Sequence, residues 1–171
     1  MINGENFLRK QYEYLDLDEE QFQPNGLDLT LGEVYQFDYD DKKMNGLYKN
    51  KKVKPALKPI NSTTLLIDSE IRDVYCLNPH SIYMGETAEQ VEIGGKNVQL
   101  YFPRSTLLRC GIDVRTAVGD AGFIGRLSFL LENKTDEPFY IEKGSRFAQL
   151  IDFQADGVLK KYNGDYQEVK E

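Results

Sequence analysis

The sequence predicts an all-β sandwich or barrel with one short helix near its N-terminus. Three observations carry this expectation. From Thr63 onward the apolar residues fall in short runs of β-forming types, not at helical spacing. Those runs are broken at close intervals by Asn78-Pro79, Gly94-Gly95 and Asp136-Glu137-Pro138, all turn formers. Helical periodicity is confined to Glu5 to Leu15, where Phe7, Leu8, Tyr12 and Leu15 share a face.

Each element follows from its local pattern. Asp16 to Gln23 is acidic and stops at Pro24, so it reads as a connector. Gly26 to Gly32 alternates apolar and polar residues, which predicts a strand closed by a glycine turn, with Val34 to Phe37 continuing it. Tyr39 to Lys58 mixes Asp40, Asp41, Lys42 and Lys43 with Lys49, Lys51, Lys52 and Lys54, around an Asn45-Gly46 turn signal. Acids beside lysines make it an exposed hairpin or mobile insertion, not a basic binding arm. Strands are then expected at Thr64 to Ile67, Val74 to Leu77, Ser81 to Met84, Gln90 to Ile93 and Val98 to Phe102. Four more follow at Ile112 to Thr116, Arg126 to Glu132, Phe139 to Ile141 and Phe147 to Phe153. These segments place one domain at 1–155 and a polar tail at 156–171.

Composition narrows the function. A chain of 171 residues has room for one substantial core. A formal charge of −7 argues against general nucleic-acid binding, while a small phosphorylated ligand needs only a local basic pocket. No stretch has the length of a membrane span, and the first residues lack an apolar signal core, so a cytoplasmic protein is expected. Cys76, Cys110 and the single His80 cannot supply the usual zinc ligands; both thiols are expected to be reduced and buried.

The richest chemistry lies between Tyr101 and Gly125. Arg104, Ser105 and Arg109 offer two guanidiniums and a hydroxyl, donors that match phosphate oxygens. Fifteen residues after Ser105 comes Asp120, a lone carboxylate able to orient or deprotonate a water. A turn-forming Asp before Ala-Gly is the plainer alternative for that residue.

Four segments resemble, in order, the motifs of the family that unites dUTP diphosphatases with dCTP deaminases. They are Gln23-Pro24-Asn25-Gly26-Leu27-Asp28-Leu29-Thr30-Leu31-Gly32, Pro103-Arg104-Ser105-Thr106-Leu107-Leu108-Arg109, Asp120-Ala121-Gly122-Phe123-Ile124-Gly125 and Gly144-Ser145-Arg146-Phe147-Ala148-Gln149-Leu150. The similarity is greatest to archaeal-type dUTP diphosphatases. It implies a distorted jelly roll of the β-clip kind, assembled as a homotrimer with active sites at subunit interfaces.

The resemblance also implies two candidate reactions. Diphosphatases cleave dUTP to dUMP and pyrophosphate, with an aspartate activating water against the α-phosphorus and Mg2+ holding the triphosphate. Deaminases use a glutamate on the strand after the third motif. Alignment on Gly125 and Asn133 puts Leu130 at that position, and leucine cannot shuttle protons. Glu132 lies two residues on, the same strand face but about 7 Å away, and reads more simply as a solvated residue. The expected activity is therefore dUTP hydrolysis; dCTP deamination, alone or alongside it, and a non-catalytic nucleotide-binding regulator are the alternatives.

Roles carry over motif by motif. Asp120 matches the water-activating aspartate, and Arg109 the second arginine that holds phosphate or orders the following hairpin. Arg104, Ser105, Thr106 and Gln149 match contacts to the phosphate chain, and Asp28 the residue near Mg2+, acting through water. The hairpin from Ile112 to Gly119, including Val118, would read the uracil edge with backbone groups. Phe123 would lie under the deoxyribose, or simply be core. Tyr166 and Gln167 match the closing tail, but Glu168-Val169-Lys170-Glu171 puts acid where relatives carry small residues and an arginine. That change repels a triphosphate; Lys160 or Lys161 could compensate.

Overall fold

The structure, a computed structural model, describes residues 2, 4–40, 45–49, 51–157 and 160–168. Asp41, Lys42 and Lys43 of the expected insertion, and Val169, Lys170 and Glu171 of the tail, lie outside the described residues.

Helix α1 (Glu5–Gln11) turns Leu8 into the core and ends sooner than its apolar periodicity suggests. Tyr12 caps it and is itself buried, and Tyr14 leaves the helical path to accept the Glu92 amide through its hydroxyl at 2.7 Å. A single 3-10 turn at Glu19–Gln21 leads into β1 (Phe22–Gln23) and β2 (Gly26–Asp38). Then come the hairpin β3 (Gly46–Tyr48) and β4 (Lys51–Val53), β5 (Ala56–Pro59), β6 (Thr63–Ile67) and β7 (Glu70–Leu77). Strands β8 (Ile82–Glu92) and β9 (Asn97–Pro103) precede a one-turn helix, α2 (Ser105–Arg109). The remaining strands are β10 (Ile112–Arg115), β11 (Ile124–Asn133), β12 (Phe139–Glu142) and β13 (Arg146–Gln154).

The fold is all-β, as the pattern predicts. The main sheet runs β10-β11-β8-β2-β13-β9, with β1 and β5 also on β2; β12-β7-β6 forms a second sheet. The two ends of the main path approach each other, because Gln99 of β9 bridges to Gly119 in the loop after β10. That contact nearly closes the sheet into a barrel and shields an otherwise open edge. Leu27, Leu29 and Leu31 of β2, Phe129 and Leu131 of β11 and Phe147 and Leu150 of β13 fill the interior. Phe129 meets Phe147 edge-on, ring centroids 4.9 Å apart, a favoured aromatic arrangement.

Several details depart from the local pattern. Gly32 does not end a strand: it sits inside β2 at an irregularity where pairing passes from β13 to β8. Ser81 to Met84 and Gln90 to Ile93 are ends of one strand, β8, because Gly85 packs too tightly against Leu131 to act as a break; a Cβ there would lie 2.9 Å from Leu131 Cδ1. Gly46 begins β3 instead of turning the insertion, and β5 pairs with Tyr35 to Asp38, so the insertion is stitched to the main sheet. The thiols are free but not buried: Cys110 is exposed just past the last turn of α2, and Cys76 is half-buried.

Candidate functional site

Asp120 sits on the loop between β10 and β11, and that loop is tied down on both sides. The Gly119 amide donates to the Gln99 carbonyl at 2.9 Å, and the Gln99 amide returns a bond to Gly119 at 3.0 Å. Two residues on, the Gly122 amide donates to Ile93 at 2.9 Å, with Gly122 at a φ of +84°. A left-handed φ of that kind favours glycine. The carboxylate of Asp120 itself is exposed.

Beneath the loop lies a buried polar network. Tyr101 Oη donates to Gln99 Oε1 at 2.8 Å, while Gln99 Nε2 donates to Tyr12 Oη and to Asp152 Oδ2. Asn97 Nδ2 completes the set with a 2.5 Å bond to Asp152 Oδ1. Gln99 and Asp152 are fully buried, so every one of these bonds replaces water that folding removed. Burial, then the charges of Asp152 and Asp120, push the Tyr101 phenol well above its usual range, which keeps it a donor. The network fixes Gln99, and Gln99 fixes the backbone next to Asp120.

Asp120 borders a cavity of about 680 Å³, of the size that takes a small molecule. Its walls are largely apolar, from Phe37, Leu57, Met84, Phe123, Leu127 and Leu130. Thr116 to Gly119 line one side, the first three of them exposed, and Tyr162 and Tyr166 of the tail line another. Among the described residues Asp120 is the one carboxylate in this lining. Lys54, Arg115 and Arg126 are its cations. Arg115 is paired with Asp113 at 3.0 Å and with Glu132. Arg126 donates through its guanidinium to the carbonyls of Thr87, at 3.0 Å, and Ala88.

The arginine cluster lies elsewhere on the same chain. Arg104 ends its extended stretch just before α2, its Nε 3.1 Å from Asp28 Oδ2. Arg146 of β13 reaches the same oxygen at 3.6 Å and Glu20 at 2.9 Å. Asp28 is 2% exposed. Burial raises its pKa, and the two guanidiniums oppose that rise. Gln149 pairs directly with Asp28 across β13 and β2, so the two side chains share a face. Ser105, Thr106 and Arg109 are exposed on α2 beside this row. The result is a basic, hydroxyl-bearing wall whose carboxylate serves to orient the arginines.

The predicted residues therefore fall into two groups. Asp120, Val118, Phe123 and Tyr166 come together at the cavity. Asp28, Arg104, Ser105, Thr106, Arg109 and Gln149 form the wall, and none of them lines the cavity. Ile112 belongs to neither: it is 1% exposed, on the face of β10 that turns into the hydrophobic core. Gln167 also stands outside the cavity lining, donating to the Gly122 carbonyl at 3.0 Å and accepting from the Ile124 amide at 3.2 Å. The tail thus runs along the loop and the start of β11, where Glu168 accepts the Arg126 amide at 2.8 Å. Lys161 lines a smaller neighbouring cleft of about 360 Å³. Sequence reasoning gave no role to Phe37, Lys54, Leu57 and Met84, which join the cavity by long-range contacts that no local pattern announces, nor to Tyr101 and Arg126, which flank the motifs; Arg115 falls within the expected 112–119 hairpin.

Asp28 does not fit as a direct metal ligand, since its side chain is buried against two arginines. No group of three His, Cys, Asp or Glu side chains is arranged for a metal ion among the described residues. No helix among the described residues is long and apolar enough to cross a membrane.

Comparison with known proteins gives a consistent picture. A profile of the dCTP deaminase-like family matches residues 5–155. A protein of Methanothermobacter thermautotrophicus called a probable deoxyuridine 5'-triphosphate nucleotidohydrolase is 34% identical over 168 residues, 98% of this chain and 100% of its own length. One of the same name from Methanopyrus kandleri is 35% identical, covering 97% of this chain and 99% of its own. A dCTP deaminase of Pyrobaculum neutrophilum is 31% identical over 84% of this chain and 75% of its own. Among solved structures, 2'-deoxycytidine 5'-triphosphate deaminase from Agrobacterium tumefaciens superposes with a TM-score of 0.63 at 20% identity. The match covers 88% of this chain and 47% of that one, a likeness of fold.

Proposed function

The chain belongs to the dCTP deaminase-like family, and from that premise we propose that it hydrolyses dUTP to dUMP and pyrophosphate. The observation that carries this reading is the lining of the cavity, where Asp120 is the one carboxylate and Leu130 is part of the apolar wall. One exposed carboxylate suffices to take a proton from water. Deamination needs a second proton-shuttling group at the base, and leucine offers none. Glu132 does not replace it: it is absent from the lining, pairs with Arg115 and lies 3.8 Å from Lys134. The names of the near-full-length archaeal relatives support the same choice.

In this mechanism the uracil and deoxyribose occupy the cavity, with the base edge against the backbone of Thr116 to Gly119 and the sugar on Phe123. Asp120 accepts a proton from water as its oxygen bonds to the α-phosphorus. The bond from that phosphorus to the α–β bridging oxygen breaks, and pyrophosphate leaves. Arg104, Ser105, Thr106, Arg109 and Gln149 hold the phosphate chain, with Asp28 keeping Arg104 and Arg146 aimed. Mg2+ carried on the triphosphate would offset its charge. In this reading the wall of one subunit completes the cavity of another within a homotrimer, and the described part of the tail, which already lines the cavity through Tyr162 and Tyr166, covers it.

The test is pyrophosphate release from dUTP, with dCTP, dTTP and UTP as comparisons. Wild-type protein is expected to act on dUTP, and Asp120→Asn to lower kcat by roughly 10²-fold or more, the contribution of a positioned general base. Absence of release from dUTP, or an Asp120→Asn variant of undiminished rate, would overturn the reading. Ammonia release from dCTP would favour the deaminase instead.

A further inference from the structure

We propose that Lys54, from the segment between β4 and β5, is a phosphate-binding residue of the cavity, contacting the anionic chain of a nucleoside polyphosphate. The inference rests on the reading above and adds a residue that lies in none of the four motifs.

Lys54 is not on a free loop. It precedes Pro55, which confines it to extended backbone, and β5 begins at Ala56 with pairing to Asp38 of β2. Its side chain crosses to the tail: the ammonium donates to Tyr166 Oη at 2.6 Å and lies 4.4 Å from the centroid of that ring. Lys52 and Asp165, 3.7 Å apart, tie the same two segments together. Lys54 is thereby held in the lining of the cavity that Asp120 borders.

Charge then sets it apart. Of the three cations in the lining, Arg115 is matched by Asp113 and Glu132, and Arg126 is spent on two carbonyls. Lys54 meets a hydroxyl and a ring face, neither of which carries a full charge. An ammonium has three donors, so two stay available beyond the bond to Tyr166. A cation with unmet donors, in the lining of the same cavity as the carboxylate that would face the α-phosphorus, is suited to phosphate oxygens. Tyr166 positions it.

Three full-length variants test this: Lys54→Met, Lys54→Arg and Tyr166→Phe. Lys54→Met is expected to raise KM for dUTP about tenfold with little change in kcat, to weaken dUTP binding more than dUMP binding, and to reduce the salt dependence of affinity. Lys54→Arg restores most of the loss. Tyr166→Phe, which keeps the ring, has the smaller effect. If Lys54 only clasps the tail, Lys54→Met weakens dUTP and dUMP binding alike and leaves the salt dependence unchanged; that result, or unchanged KM and binding in Lys54→Met, overturns the proposal. Calorimetry with dUTP and with pyrophosphate separates this from failure of the functional reading. Binding without hydrolysis sinks only the activity, and the Lys54→Met comparison still decides; no binding by the wild type sinks both.

Discussion

Single residues decide whether Asp120 is in place. Gly119 is the sharpest case, because a Cβ there would collide with Tyr101 Oη and come within 2.7 Å of Ile93 Cδ1. Neither neighbour can yield: Tyr101 is bonded to Gln99, and Ile93 is in the core. Gly119→Ala should therefore shift the loop, cost about 1–3 kcal/mol of stability and lower kcat by up to about 10²-fold through misplacement of the carboxylate. Thermal unfolding beside steady-state kinetics checks both. Tyr101→Phe is gentler. It leaves Gln99 Oε1 without its donor, a loss of about 1–3 kcal/mol, and should lower the melting temperature more than it changes KM. If both variants match the wild type in rate, the network does not hold Asp120.

Elements explain how the cavity wall stays rigid. β10 and β11 pair from Ile112 with Asn133 to Arg115 with Leu130, and charged side chains lace their exposed faces. Lys134 donates to Asp113 at 2.7 Å, holding that carboxyl below its ordinary value of 3.8, with Arg115 adding to the effect. A depressed carboxyl contributes stability that is fully present above the unfolded value and lost as pH falls through the lower folded one. Denaturant midpoints should therefore decline below about pH 4, and Asp113→Asn should flatten that decline. An identical acid limb in the variant would show that the pair contributes nothing. At neutral pH the effect is small, since the pair faces solvent.

At the scale of the whole molecule, the separation of wall and cavity is the governing fact. Asp120 borders the cavity while Arg104, Ser105 and Gln149 do not, so on the proposed reading the proton acceptor and the phosphate-binding wall belong to different parts of one chain. The proposed homotrimer would bring the two together, with each wall against a neighbour's cavity. Sedimentation should give about three times the 19.7 kDa chain mass. Mixing Asp120→Asn with Arg104→Ala subunits, each expected to be strongly impaired alone, should restore part of the activity, because some interfaces then pair an intact cavity with an intact wall. No recovery after verified subunit exchange would place the whole site within one chain.

The sequence by itself determined the all-β class, the order of the four motifs and the choice of Asp120. Those depend on alternation, turn formers and short motifs, all expressed within a dozen residues of chain. It also singled out Leu130, whose meaning is its lack of a proton. Contacts across the fold decided the rest. Ile112 went to the core because its face of β10 turns into the apolar interior, and Gly85 extended a strand instead of ending it because Leu131 lies over it. Asp28, expected near a metal through water, is buried beside Arg104 and Arg146, contacts that its own motif does not announce. Lys54 passed as one lysine among several in an acid-flanked insertion until it met Tyr166, 112 positions away. Local sequence sets backbone preference, whereas the field around a charged side chain is set by whichever distant groups the fold brings beside it.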